Sequence, residues 1–393
     1  MINFSMRIAG IALAGCVLVA VTAQAANFSV AHQFQGGSDG AFATAGLIRA
    51  GAAFYGTTSG GGGDGNFGTV FSLTKDGAET VLHSFQGGTD GAYPEDGLID
   101  VGGTLYATTQ NGGSVDNFGT VFSVTTSGIE TIIHVFRGGT DGAYPFAGLI
   151  DMGGTFYGTT SAGGIYGNGT VFSVTPAGTE KVVYSFLGGI DGAAPKAGLI
   201  DVGGKLYGTT SAGGSYDAGT VFSITPGAAE NMIYAFHGGI DNGDGVDPVG
   251  GLVDVGGRLY GTTRAGGANN AGMVFSVTTN GRERVVYSFG RTGDNGAVPF
   301  AGLIDVAGTL YGTTYVGGIV RKCSGQGCGT VFSLTTTGVE TVLHSFGGGD
   351  GAYVYGGLLN ERGTLYGTTL RGGAGACAIG EIIGCGVVFS LTP

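Results

Sequence analysis

The tetrad Y-G-T-T, written once as Y-A-T-T, recurs seven times, and its spacing constrains the fold more than any other feature of the sequence. The tetrads begin at Tyr55, Tyr106, Tyr157, Tyr207, Tyr260, Tyr311 and Tyr366. Successive copies lie 51, 51, 50, 53, 51 and 55 residues apart. A period of about 50 residues is typical of the four-stranded blades of β-propellers, and it is too long for leucine-rich or ankyrin repeats.

Each copy predicts four short strands, which we name A to D in chain order. In residues 148–186 they read GLID, TFYGTT, TVFSVT and EKVVYSF. Val, Phe, Tyr and Thr favour strands, whereas the 87 glycines of the chain, together with Asp, Asn and Pro, favour turns. The sequence therefore predicts an all-β protein.

The two ends of the chain predict a closed ring. Residues 27–34, NFSVAHQF, match strand D, whereas the chain finishes at GVVFSLTP, which matches strand C. The N-terminal strand therefore completes the last blade and joins both ends of the chain in one sheet. We predict a seven-bladed β-propeller of four-stranded blades, with residues 26–393 as a single domain of seven repeats of about 51 residues. An open β-solenoid is the alternative.

Residues 1–25 have the pattern of a signal peptide. Arg7 precedes the apolar run IAGIALAGCVLVAV, and residues 23–25, AQA, form a cleavage site. Residues 13–16, LAGC, also resemble a lipobox in which Cys16 would be acylated, so a lipid-anchored protein is the alternative to a secreted one. No later stretch is long and apolar enough to span a membrane. We expect an extracellular or periplasmic location.

The charge and the cysteines limit the partners and the redox compartment. A formal net charge of −12 argues against nucleic acid, whose recognition needs clustered Lys and Arg. Cys323 and Cys328 lie in one predicted B-to-C loop, and Cys377 and Cys385 lie in another. We predict a disulfide within each loop, because exported proteins meet an oxidising compartment. Pairing between the two loops is the alternative.

The direction of the strands sorts the loops. Antiparallel strands alternate in direction, so the B-to-C and D-to-A loops emerge on one face and the tight A-to-B and C-to-D turns on the other. The first face, which we call the long-loop face, is the expected contact surface.

The repeat units LYGTTSAGG, GTVFSVTP and VVYSF followed by GG and DGA resemble the GloVer-type tandem repeat of secreted bacterial proteins. The resemblance extends over essentially the whole chain after residue 25. It implies a secreted, β-propeller-like repeat protein without an assigned activity, and it supplies no catalytic residues. Family members often continue into a C-terminal sorting or anchoring segment, whereas this sequence ends at Pro393, just after a strand.

Two sets of polar residues repeat with the blades. Every D-to-A loop carries an aspartate, at Asp39, Asp90, Asp141, Asp191, Asp241, Asp294 and Asp350. Asp before Gly favours a tight turn, so we interpret these as turn residues, with a cation-binding ring as the alternative. One strand-D position holds His32, His83, His134 and His344, and in other repeats Tyr184, Tyr234 and Tyr287. Histidines on the outer strands of different blades cannot converge on one ion, so we expect no metal site and no cofactor.

The candidate ligand-binding residues are those that differ between repeats. No G-x-S-x-G, H-E-x-x-H or P-loop motif occurs, so we assign no catalytic residue. Basic candidates on the long-loop face are Arg264, Arg291, Arg321, Lys322 and Arg371, which follow one another in consecutive blades. Aromatic candidates in the D-to-A loops are Tyr93, Tyr144 and Tyr353. The alternative to a binding role is that the basic side chains only point into solvent and that the rings only pack over the channel mouth.

These observations favour a non-catalytic binding or interaction module, with an extracellular glycan or a surface protein as the candidate partner. The alternatives are an extracellular enzyme acting on polysaccharide and a structural component of the cell surface. Enzymes of the former kind can use carboxylates that are scattered in sequence.

Overall fold

The seven repeats form seven antiparallel sheets, each with the strand order A-B-C-D. The computed structural model describes residues 26–114, 116–239, 243–290, 295–319, 321–379 and 382–393. The predicted signal peptide and Cys16 lie outside the described residues. Among the residues described, no helix has the length and apolar character to cross a membrane.

The strands of each class share their position within the blade. The A strands are Ile48–Ala50, Ile99–Val101, Ile150–Asp151, Ile200–Val202, Val253–Val255, Ile304–Val306 and Leu359–Glu361. The B strands are Ala53–Thr58, Thr104–Thr109, Phe156–Thr160, Lys205–Thr210, Arg258–Thr263, Thr309–Thr314 and Thr364–Thr368. The C strands are Thr69–Leu73, Thr120–Thr125, Thr170–Val174, Thr220–Ile224, Met273–Thr278, Thr330–Thr335 and Val387–Thr392. The D strands are Glu79–Ser84, Glu130–Val135, Glu180–Ser185, Glu230–Ala235, Glu283–Ser288, Glu340–Ser345 and, for blade seven, Asn27–Gln33.

Short elements decorate the loops. Three two-stranded ribbons join Gly245–Val246 with Ala265–Gly266, Gly296–Ala297 with Val316–Gly317, and Ala378–Ile379 with Ile382–Ile383. The 3-10 turns are Gly37–Asp39, Gly88–Asp90, Gly139–Asp141, Gly189–Asp191 and Cys323–Gly325.

The ring closes as predicted, because the N-terminal strand is strand D of blade seven. Asn27 pairs with Thr392 and Gln33 pairs with Val387 in an antiparallel register. The predicted seven-bladed propeller is thus confirmed, and the sheet of blade seven contains both ends of the described chain.

Phenylalanine pairs hold neighbouring blades together. The phenylalanine after each strand D packs edge-on against the phenylalanine in strand C of the next blade, with centroids 5.0 to 5.3 Å apart. The pairs are Phe34–Phe71, Phe85–Phe122, Phe136–Phe172, Phe186–Phe222, Phe236–Phe275, Phe289–Phe332 and Phe346–Phe389. Burying each side chain contributes about 1.5–3 kcal/mol, so the seven pairs are a main source of cohesion between the blades.

The long loops emerge together on one face. In each blade, the D-to-A loop pairs through its backbone with the following B-to-C loop, as Ala41 does with Gly60 and Gly245 with Gly266. Both predicted disulfides, Cys323–Cys328 and Cys377–Cys385, are present within these loops. The second disulfide lies beside the ring closure, where the Phe42 N–H donates to the carbonyl of Cys385 at 2.8 Å.

Candidate functional site

The central channel opens on the long-loop face, and each D-to-A loop contributes one side chain to its mouth. The mouth residues are Thr44, Glu95, Phe146, Lys196, Val249, Phe300 and Tyr355. They surround a cavity of about 330 Å³ whose wall includes the first residues of the A strands. The mouth therefore presents seven positions with six different side-chain types, although the surrounding strands are nearly identical in sequence.

A strained loop conformation directs these side chains. The residue two places before each mouth residue has a positive φ, between 52° and 62°, although none of the seven is glycine. They are Phe42, Tyr93, Tyr144, Ala194, Asp247, Val298 and Tyr353. Five of the seven mouth residues then follow directly after a proline. A left-handed backbone conformation costs energy for a residue other than glycine. The fold maintains it through the backbone pairs of the long loops.

Glu95 is the acidic side chain of the mouth. Burial raises the pKa of the Glu95 carboxyl to about 7, and the nearby carboxylate of Asp96 also raises it. The nearby Thr44 hydroxyl lowers this pKa in part. The Thr44 oxygen nevertheless makes no hydrogen bond of full geometry with the described residues. Glu95 can therefore exchange a proton near neutral pH.

Asp96 occurs at a position where the other loops carry only Ala or Gly. Its carboxylate accepts hydrogen bonds from the backbone N–H groups of Gly97 at 2.7 Å and Gly148 at 2.6 Å. Burial raises the pKa of Asp96, and these two donors oppose the rise. Asp96 thus ties two neighbouring loops together and places a second carboxyl beside Glu95.

An aromatic cluster runs outward from the mouth over blades six and seven. Phe300 stacks on Tyr355 with centroids 4.6 Å apart and contacts Tyr315 at 5.1 Å. Tyr315 in turn stacks on Tyr353 at 4.7 Å. We call Phe300, Tyr315, Tyr353 and Tyr355 the aromatic ladder.

Two of the predicted basic residues border the ladder. The Arg264 guanidinium lies 5.8 Å from the Phe300 ring and pairs with Asp247 at 2.6 Å. The Arg371 guanidinium lies 4.2 Å from the Phe42 ring. The Nη1 atom of Arg371 is buried and has no hydrogen-bond partner among the described residues. An unpaired buried guanidinium nitrogen is costly.

The structure separates Arg321 and Lys322 from this site. Arg321 and Lys322 are exposed and line a second cavity of about 700 Å³ beside the disulfide loop of blade six. Arg291, with Asp241 and Asp294, lies outside the described residues.

The three predicted tyrosines differ in what they contact. Tyr93 packs edge-on against Phe67, and Tyr144 packs in the same way against Phe118. Their backbone N–H groups bond the carbonyls of these phenylalanines, whereas that of Tyr353 bonds the carbonyl of Cys328. Because a disulfide cysteine replaces the phenylalanine there, Tyr353 packs on Tyr315 instead and becomes part of the ladder.

All seven mouth residues were missed by the sequence reasoning, although a signal for them exists. The segments FATAG, YPEDG, YPFAG, APKAG, DPVGG, VPFAG and YVYGG align, and their third position varies most in polarity and charge. The residues at this third position are the seven mouth residues. Loop length alone had indicated the long-loop face of the propeller but not this sequence position.

The repeat of this molecule matches a known family. The family model of the Gloeobacter/Verrucomicrobia repeat matches residues 6–167 and 139–323, which together exceed half of the chain. The chain belongs to this repeat family. No curated protein matches the sequence.

Solved structures resemble the repeat protein only distantly. A putative 6-phosphogluconolactonase from Bacteroides uniformis is 16% identical, with a TM-score of 0.49 over 77% of this chain and 84% of its own. The PQQ-bound aldose sugar dehydrogenase of Streptomyces coelicolor is 11% identical, with a TM-score of 0.47 over 93% of this chain and 98% of its own. At these levels of similarity, neither likeness supports an inference about activity.

Proposed function

We propose that this repeat protein is an exported, non-catalytic binding module whose mouth and aromatic ladder bind an acidic glycan. The observation that carries the proposal is the concentration of variation in charge and polarity at the mouth. Seven nearly identical blades surround a ring that combines a carboxylic acid, an ammonium group, a hydroxyl, an aliphatic side chain and three aromatic rings. A purely structural ring has no need for such variety.

The chemistry of the site favours a saccharide that carries carboxylate or sulfate groups. Aromatic rings pack against the apolar faces of sugar rings, and a few placed polar groups then fix the orientation. The Arg371 guanidinium is close enough to Tyr315 and Tyr353 to interact with them electrostatically and can donate to an anionic oxygen. Lys196 supplies a second cation at the mouth. Export agrees with the signal-peptide pattern and with two disulfides, which persist in oxidising compartments.

The test is a titration of oligogalacturonate into the purified protein by calorimetry, at low salt and at 1 M salt. Arg371→Ala removes a charge-assisted contact worth about 1.5–3 kcal/mol and should weaken binding at least about tenfold. Tyr353→Ala should weaken it as well. Tyr144→Ala is the matched control, since it lies at the same loop position but packs on Phe118. Binding should also fall at 1 M salt, where the Debye length is about 3 Å.

Two results would overturn the proposal. The first is that the parent protein binds no acidic glycan on an array. The second is that Tyr353→Ala and Arg371→Ala bind as tightly as Tyr144→Ala does.

A second candidate function is a polysaccharide-acting enzyme, and the pair of carboxyls at the mouth favours it. Glu95, with a pKa of about 7, suits a general acid, and Asp96 is its acidic neighbour. This candidate predicts release of reducing ends from an acidic polysaccharide and loss of that release in Glu95→Gln. Binding without turnover supports the first candidate over the second.

A further inference from the structure

Three outer corners of the propeller bring together a histidine and two carboxylates from neighbouring blades. Each corner combines the histidine near the end of one strand D, the aspartate of the following loop and the glutamate that opens strand D of the next blade. The corners are His32–Asp39–Glu79, His83–Asp90–Glu130 and His134–Asp141–Glu180. Within each corner, one potential ligand atom from each residue lies within 4.8 Å of the others.

The aspartates are held in place by their second oxygen. Oδ2 of Asp39, Asp90 and Asp141 accepts a backbone N–H from the residue four positions earlier, at 2.6 to 2.8 Å. Their Oδ1 atoms face the histidine Nε2 atoms at 3.6, 3.2 and 3.3 Å. These separations exceed the ~2.8 Å of a charge-assisted hydrogen bond. They resemble the roughly 3.3 Å between two ligands of a tetrahedral ion whose bonds are about 2.0–2.1 Å long.

Buried polar atoms in these corners have no partner. Nε2 of His32 and Nε2 of His134 are inaccessible and make no hydrogen bond with the described residues, and the same holds for Oε1 of Glu79, Glu130 and Glu180. The corresponding glutamate oxygen is also unpaired where tyrosine replaces the histidine. In the remaining corner, His83 Nε2 lies 3.2 and 3.3 Å from the two carboxylate oxygens of Asp90 and is shared between them. The glutamate alone therefore does not distinguish these corners; the unpaired histidine nitrogen marks those of His32 and His134.

A fourth histidine shows what happens when the glutamate is absent. In blade seven the register places Phe28 opposite Leu391, where blade one has Glu79 opposite Leu73. The Phe28 ring stacks on the His344 ring with centroids 3.7 Å apart. His344 Nε2 and Asp350 Oδ2 there close to a normal hydrogen bond of 2.9 Å.

Tyrosine corners close in the same way. The Tyr184 hydroxyl donates to Asp191 at 2.9 Å, and that of Tyr234 donates to Asp244 at 3.0 Å. The His344 corner and these two tyrosine corners thus close to 2.9–3.0 Å, whereas the three corners that hold a histidine, an aspartate and a glutamate stay at 3.2 to 3.6 Å.

We propose that each of these three corners binds one divalent transition-metal ion of the Zn²⁺ type through histidine Nε2, aspartate Oδ1 and glutamate Oε1. Imidazole combined with carboxylates suits such ions better than Mg²⁺ or Ca²⁺, which prefer oxygen ligands alone. The expectation of no metal site considered histidines converging on one another, whereas here each histidine meets carboxylates from its own loop and from the next blade. The ions would clamp blades seven, one, two and three at their outer edge.

The test measures metal uptake by the purified, EDTA-treated protein, independently of any glycan. After equilibrium dialysis against ZnCl₂, elemental mass spectrometry should find three Zn²⁺ per chain. Each single variant His32→Tyr, His83→Tyr or His134→Tyr should hold one ion fewer, and the triple variant none. Tyrosine is the residue that the other blades carry at this position, so the fold should tolerate it. Glu130→Gln, which keeps the size of the side chain, should also cost one ion.

His344→Tyr is the matched control and should keep all three ions. ZnCl₂ should raise the melting temperature of the parent but not of the triple variant, and MgCl₂ should raise neither. A corner whose variant loses no ion is not a site. The proposal fails entirely if the parent holds less than one Zn²⁺ per chain, or if the triple variant holds as many as the parent.

Discussion

The ionisation of Glu95 makes the mouth sensitive to pH. Its carboxyl pKa of about 7 lies above the ordinary value because burial disfavours the charged form. Below pH 7 the group is neutral, and as the pH rises through 7 it becomes a second negative charge beside Asp96, in the cavity that Thr44 and Lys196 also line.

An acidic glycan should therefore bind more weakly at pH 8 than at pH 6. A like charge near the ligand costs roughly 1 kcal/mol, or about fivefold in the dissociation constant. Calorimetric titrations should show this decline in the parent and a flat profile in Glu95→Gln, which cannot ionise. An equally steep decline in Glu95→Gln would assign the effect to another group.

Buried threonine pairs, formed where strand B ends and strand C begins, predict two unequal losses of stability. In blade three, Thr160 Oγ1 donates to the Ala162 carbonyl at 2.9 Å and lies 2.8 Å from Thr170 Oγ1, so the proton between the two hydroxyls comes from Thr170. Blades five and seven have Met273 and Val387 at the Thr170 position, and Thr263 and Thr369 keep the bond to the carbonyl.

Thr170→Val should thus destabilise the protein by only about 1 kcal/mol, because it removes one hydrogen bond and leaves no donor unpaired. Thr160→Val should cost more, about 2–3 kcal/mol, since the buried Thr170 hydroxyl then loses its acceptor and the Ala162 carbonyl loses a donor. Urea denaturation of both variants gives the two values. Equal losses would contradict this order of hydrogen bonding.

The N-terminal strand is the element on which the ring depends. It forms the outer edge of blade seven, and Phe34, which follows it, is fully buried against Phe71 of blade one. A chain that begins at Gly36 loses both this strand and one of the seven phenylalanine pairs. It also exposes Val387–Thr392 as an unpaired edge.

We expect that shortened chain to aggregate or to melt at least about 10 °C below a chain that begins at Ala26, because losing a buried phenylalanine alone costs about 3–5 kcal/mol. Light scattering and calorimetry check this. Phe34→Ala is the intermediate control, since it keeps the strand and removes only the pair. A monomer with an unchanged melting temperature would exclude the N-terminal strand as the closure.

At the scale of the whole molecule, the sequence predicts the ring more completely than it predicts the site. The blade count, the closure and both disulfides follow from local patterns that repeat, so each copy supports the others. The mouth depends instead on non-glycine residues with positive φ, such as Tyr93 and Val298, which no propensity favours. The role of Tyr353 depends on Cys328 replacing a phenylalanine in a loop of the preceding blade, which is a tertiary contact.

The same limit applies to the outer corners. The histidine column was visible in the sequence, but its partner glutamates lie about 50 residues away, in the next blade. The blade-to-blade contact that brings Glu79 to His32 exists only in the closed ring, because His32 lies in the N-terminal strand.

Closure within a sheet predicts where the chain can be opened. Asn27 pairs with Thr392, so a short Gly-Ser linker can join residue 393 to residue 26. New ends between Gly203 and Gly204 fall in an exposed A-to-B turn of blade four, where added atoms would meet no neighbour. That permuted protein is again closed by strands of one sheet, and it should melt within a few degrees of the parent.

New ends between Leu187 and Gly188 fall between blades three and four, so only face packing such as Phe186 on Phe222 closes the ring. This second permuted protein should melt distinctly lower in calorimetry, because no backbone hydrogen bonds of a shared sheet join its ends. If the two permuted proteins melt at the same temperature, packing between blade faces alone is sufficient to close the ring.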